Sequence, residues 1–282
     1  MRPRLILICC VLLLLAGHVS SGQCVRIHGS SEDSLPFKSG ERLNYTLHYK
    51  WGIINADVGE FRMSIDTAML DGRKVWHSRA GGRSVKMVER FFRLRENFDT
   101  WFSRDGLHPL KFIRDTQEGR YWANDVYLYD WNARCINASL NNKRRGARSV
   151  KIDIDECTCD VSSILYFARC MDLSSLRKGA KYPLSFAIDD DTYRLFLTFL
   201  GRETIDVEGL GKVRTLKFSC GLVEGEIFTG EDDAVLWISD DGNLIPVYVE
   251  AELIRGRVKG RLASWQGLKN DFSSLEKNDG KQ

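Results

Sequence analysis

Trp101-Phe102-Ser103-Arg104-Asp105-Gly106-Leu107-His108-Pro109 is echoed by Trp237-Ile238-Ser239-Asp240-Asp241-Gly242-Asn243-Leu244-Ile245-Pro246. Trp, Ser, Asp and Gly keep their spacing, and the Pro follows with one residue inserted. A strand-and-turn phrase that recurs far along a chain marks a duplicated supersecondary unit. The phrase therefore predicts one β architecture made of two similar halves.

The flanking sequence agrees. Asn44-Tyr45-Thr46-Leu47-His48-Tyr49-Lys50-Trp51 alternates polar and apolar residues, the period-two pattern of a half-buried strand. Strand character resumes at 58–63, 75–80, 91–94, 97–102, 111–114 and 121–131, and 141–148 reads as a polar, basic loop. In the second half two hairpins can be registered. With Asp190-Asp191 as a two-residue loop, Ile188 faces Tyr193, Phe186 faces Leu195 and Leu184 faces Leu197. With Arg255-Gly256 as a loop, Glu252 faces Lys259 and Glu250 faces Arg261, while Leu253 faces Val258 and Val249 faces Leu262. Opposite charges across antiparallel strands favour such a register, and a slip of one residue would bury them.

Between the halves lies one helix, at about 160–172. Asp160 serves as its N-cap, and Val161, Ile164, Leu165, Ala168 and Met171 share a face. The expected fold is mainly β: a large antiparallel meander of two similar halves (39–150 and 175–268) forming a barrel or partly open barrel, with that helix sealing its mouth or edge. Residues 23–38 form an N-terminal extension to this single domain (39–268), and 269–282 a disordered polar tail.

The N-terminus speaks to compartment. Arg2 and Arg4 precede an apolar run, Leu5 to Ala16, and then small or polar residues to Gly22, the order of a secretory signal peptide spanning 1–22. The run is too short to span a bilayer, and no later stretch is long enough, so the expectation is an exported protein of the periplasm or outer-membrane surface without a transmembrane span. Gln23 argues against a lipid anchor at Cys24. Loss of 1–22 removes two Arg and no acid, taking the formal net charge from +3 to +1. That balance gives no global electrostatic reason to expect nucleic acid or an anionic membrane as a partner. Six cysteines remain, Cys24, Cys135, Cys157, Cys159, Cys170 and Cys220, in a compartment that permits disulfides. Cys157-Thr158-Cys159 lacks the second ligand pair a metal site needs, and Cys170 and Cys220 read as buried thiols.

The order of these pieces resembles a family of exported bacterial proteins known as domain of unknown function 3108. The likeness rests on residues 45–52 with Val58-Gly59, on Phe91-Phe92-Arg93-Leu94-Arg95-Glu96, and on Pro109, Phe112, Arg114, Glu118-Gly119 and Tyr121. Asp160-Val161-Ser162 and the run from Ile245 to Ala251 complete it. What the resemblance implies is a curled antiparallel meander over about 39–268, with no catalytic residues to carry over.

The strongest polar constellation is Arg90, Arg93, Arg95 and Glu96 with Arg114 and Glu118. Guanidinium groups pointing inward could hold an anionic head group or a sugar carboxylate. Arg95, Arg114 and Glu118, with Trp101 as an apolar wall, are the candidate ligand-binding residues. An ion-pair network between strands would use the same residue types. Lys143, Arg144, Arg145, Arg148 and Lys151 read as a solvated hairpin tip, and Asp189-Asp190-Asp191 as turn residues rather than a calcium loop. Trp51, Trp101, Trp131, Trp237 and Trp265 read as core residues. With no nucleophile elbow, metal signature or cofactor motif, neither catalysis nor a cofactor is predicted. The leading expectation is a non-enzymatic envelope protein that binds a lipid-like amphiphile, a glycan or an envelope component. A structural module that docks on another envelope protein is the second, and a hydrolase or lyase acting on an envelope polymer the third.

Overall fold

The computed structural model describes residues 32–222, 234–253 and 255–276. The expected signal peptide, Cys24 and the last six residues lie outside them. Eight strands form the first half: β1 (Glu41–Trp51), β2 (Ile54–Leu70), β3 (Arg73–Ser84), β4 (Leu94–Phe102), β5 (Pro109–Glu118), β6 (Tyr121–Asp130), β7 (Cys135–Asn142) and β8 (Gly146–Asp153). Seven follow: β9 (Thr158–Asp160), β10 (Lys181–Ile188), β11 (Asp191–Val207), β12 (Gly211–Leu222), β13 (Ala234–Ser239), β14 (Pro246–Glu252) and β15 (Arg257–Gln266). One helical turn, α1 (Lys86–Glu89), joins β3 to β4, and the longer helix α2 (Ser163–Arg169) follows β9.

All strands belong to one sheet in the order β8-β7-β6-β5-β4-β3-β2-β1-β15-β14-β13-β12-β11-β10-β9. Every pairing is antiparallel except β9 with β10. The first and last strands meet in the middle, and the edges β8 and β9 come from mid-chain, so the curl is not closed by backbone pairing. Strict alternation on β1, β4 and β6 sends Leu43, Leu47, Phe98, Phe102 and Tyr127 inward. The concave face thus collects the main core, with Trp76, Phe37 and Tyr166 among its most buried side chains.

The duplicated phrase folds twice into one turn. Trp101 opposes Lys111 and Trp237 opposes Tyr248, each with a bulge after the Trp. Ser103 N–H donates to the His108 carbonyl at 2.8 Å, and Ser239 N–H to that of Ile245 at 2.8 Å. In return each Ser Oγ accepts from the backbone N–H of that same residue, at 3.0 and 2.9 Å. Leu107 and Leu244 both take positive φ, 57° and 50°. The inserted residue is Asn243, which is fully buried.

Several expectations shift. The β10–β11 loop is Asp189-Asp190, one residue early, because Asp189 takes the left-handed φ of 54° that an acidic residue tolerates. Phe186 therefore faces Tyr193, and Leu184 faces Leu195. The β14–β15 loop spans four residues closed by Leu253 N–H to the Gly256 carbonyl, so Glu252 faces Arg257 and Glu250 faces Lys259. Both slips are of two residues, which keeps every side chain on its expected face. Residues 141–148 are mostly strand, with only 143–145 as the turn. Residues 269–276 are not frayed: Phe272 and Leu275 pack on the core, Ser274 is buried, and Leu275 bridges Val213. Trp51 is exposed and Trp101 and Trp237 only half-buried, whereas Trp76 is the tryptophan of the core.

Candidate functional site

Helix α2 packs on the edge strand β9 and its neighbour β10 and reaches from there across the concave face. At its start the Asp160 carboxylate accepts from the N–H groups of Ser162 and Ser163 and from Thr100 Oγ1 of β4 at 2.7 Å. Burial raises the Asp160 carboxyl above its ordinary range, and these hydrogen bonds oppose that shift. Ser162 Oγ lies 2.7 Å from Ser78 Oγ of β3. At its end Arg169 makes a two-pronged pair with Glu41 of β1, at 2.6 and 2.8 Å, and donates to the Asn243 carbonyl at 2.9 Å. Both charged groups are buried, and the guanidinium also lies over the Phe37 and Tyr166 rings. The helix is thus a brace from β3–β4 to the central seam and the second copy of the repeated turn.

Beneath the brace is a cavity of about 160 Å³. Val161, Ile164, Leu165 and Ala168 form its roof, and its wall comes from β1–β4 and β10–β15, including Met63, Leu197 and Val249. Nearly all of its surface is carbon. The Tyr45 hydroxyl at its border is committed to the Pro246 carbonyl at 3.0 Å.

A buried polar cluster lies further along the same face. Arg114 donates to Thr116 Oγ1 at 3.1 Å and to Asp189 at 2.8 Å, with Asp125 at 3.7 Å. Thr116 Oγ1 donates to Glu96 at 2.5 Å. Burial raises the Glu96 carboxyl, which also hydrogen-bonds Glu118. Two carboxyls joined this way share a proton. The Tyr127 hydroxyl donates to the Asp189 carbonyl, and Asp190 receives Arg145 and Arg148 from the β7–β8 hairpin. The Asp189-Asp190 turn is therefore gripped by four side chains of the opposite half, and these contacts bridge the gap that backbone pairing leaves open.

The four sequence candidates divide. Arg114 and Glu118 point inward into this cluster. Arg95 and Trp101 occupy the outer face of β4, because they sit one position out of phase with Glu96 and Phe98. Trp101 stacks on His77 with ring centres 4.3 Å apart and carries Lys111 on its other contact, so it is part of an outer ladder. Arg95, with Arg62, Arg79, Arg83 and Lys86, lines a polar outer groove of about 840 Å³ over Gly81. Glu41, Arg169 and Asn243 were not singled out by sequence; the one-residue insertion was the available signal for Asn243.

Cys157 is disulfide-bonded. Cys135, Cys159, Cys170 and Cys220 are free and buried, and burial pushes the Cys170 and Cys220 thiols up to about 12, so they are inert at neutral pH. Among the described residues no group of His, Cys, Asp or Glu could hold a metal, and no helix is long and apolar enough to cross a membrane.

No curated protein matches the chain. Among solved structures it is similar to a beta-barrel-like protein of domain of unknown function DUF1849 from Brucella abortus, at 10% identity and a TM-score of 0.48, over 83% of this chain and 99% of that one. Residues 44–263 match the family described as Protein of unknown function (DUF3108). That stretch runs from β1 to β15 and takes in both copies of the turn, helix α2 and the Asp189-Asp190 turn, so the chain belongs to the DUF3108 family.

Proposed function

We propose that this is an exported cell-envelope protein that binds the apolar part of an amphiphile, without chemistry, in the cavity beneath α2. The carbon-lined cavity of about 160 Å³ supports the reading. A void of this size and lining repels water, forfeits dispersion contacts while empty, and accepts a small apolar group. The charged leader with its short apolar run supports export. In this reading Arg114 holds the closing turn, and Arg114 and Glu118 border the polar end of the interior. Arg95 and Trp101 serve the outer surface, Arg95 in a groove where Glu60 and Glu89 pair with the arginines and Trp101 in the ladder beside His77 and Lys111.

Native mass spectrometry followed by denaturing extraction, on protein isolated from its own cell envelope, tests the proposal. A lipid-like molecule released at a fixed ratio, and lost from an Ala168→Phe variant that fills the cavity, is the expected result. A chain that carries no small molecule but holds a stoichiometric protein partner would favour an assembly role instead.

A further inference from the structure

The antiparallel order places the turns β1–β2, β3–β4, β5–β6 and β14–β15 at one end of the sheet. They form one unit there. Val88 of α1, Phe92 just beyond it and Leu253 of the β14–β15 turn pack on Tyr49, Val58, Leu94 and Val258. Val85 N–H donates to the Val58 carbonyl at 2.9 Å. From this unit Trp51, Ile53, Ile54, Met87 and Phe91 project into solvent, with Ile53 103% and Phe91 90% exposed. They are five of the eight large apolar side chains exposed among the described residues, so the exposure is concentrated rather than scattered.

The charges around them have one dominant sign. Lys50, Lys86, Arg90, Arg93 and Arg255 are exposed at this end, and none makes an ion pair among the described residues. The Arg255 guanidinium lies 5.9 Å from the centre of the Trp51 ring. The acids nearby are engaged, half-buried Glu89 with Arg95 and exposed Glu252 with Arg257. Lys86 and Arg95 also line the outer groove, which opens a polar recess beside Met87.

We infer that this end docks on the surface of an anionic lipid bilayer, with the apolar side chains entering the head-group boundary and the cations meeting lipid phosphates. Trp, Ile and Phe tips amid Lys and Arg are the chemistry that such an interface selects. A protein partner would have to supply both an apolar cleft and an acidic rim. The bilayer presents both in one surface.

Co-sedimentation with vesicles of phosphatidylglycerol and phosphatidylcholine, against phosphatidylcholine alone, tests the inference. Binding should need the anionic lipid and weaken as salt rises. The combined variant Ile53→Ser, Met87→Ser, Phe91→Ser should lose roughly ten-fold or more in affinity, and so should Lys86→Glu, Arg90→Glu. These positions are exposed, so the melting temperature should not move; a variant that melts early is replaced by Phe91→Ser alone. Absence of binding, equal binding to neutral vesicles, or binding that survives both variants would overturn the inference. So would a soluble protein partner that both variants release.

Discussion

At the residue scale, the most consequential contact is Arg169 with Glu41, two buried charges 128 positions apart. Such a pair contributes little net stability when intact, but removal of one partner strands the other in a medium that cannot solvate it. Arg169→Met should therefore cost about 3–5 kcal/mol in urea unfolding, and Arg169→Met with Glu41→Gln clearly less than the sum of the two single changes. Nothing local in the sequence announces this pair, because neither residue sits in a motif and one partner opens β1 while the other ends the helix between the halves. The division of the polar candidates was more legible. Leu94, Glu96 and Phe98 share one parity, so period-two alternation alone puts Arg95 and Trp101 on the other face.

At the element scale, the repeated turn offers an internal comparison. Ser103 and Ser239 make the same two backbone contacts, but Ser239 and Ile245 are fully buried whereas Ser103 and His108 are partly exposed. Water can replace the lost hydroxyl at the first site and not at the second. Ser239→Ala should cost roughly 1–3 kcal/mol and Ser103→Ala under about 1, measured by thermal unfolding of each variant. Equal costs would mean that burial does not distinguish the copies. The turn was visible in sequence because Ser, Asp and Gly at fixed offsets carry local conformational preferences. The loops of the two registered hairpins were each misplaced, since Asp189 could take a left-handed φ as readily as its neighbours and only its capture by Arg114 and Tyr127 selects it. Face assignments survived because a slip of two residues preserves parity.

At the scale of the whole molecule, strand order is the feature that sequence did not disclose. Local patterns specify strands and turns, whereas the pairing of β1 with β15 joins segments more than two hundred residues apart. Gly40 and Gly267 touch there, so the ends of the sheet-forming chain are neighbours. If the two ends of the chain are joined by a linker that keeps Phe37 and residues 269–276 packed on the core, and the chain is opened between β8 and β9, every strand follows its spatial neighbour in sequence. That permuted chain should keep the melting temperature within a few degrees and refold faster, because the longest loop closure has been removed. Stopped-flow refolding of the two chains checks this, and an unchanged or slower rate would contradict it. The same seam has a consequence for biosynthesis. A ribosome releases β1 first and β15 last, so one side of β1 presents unpaired amides and carbonyls until translation is nearly complete. The interval between the two is set by elongation, not by the chain, which makes the centre of this sheet the part that is assembled last and exposed longest.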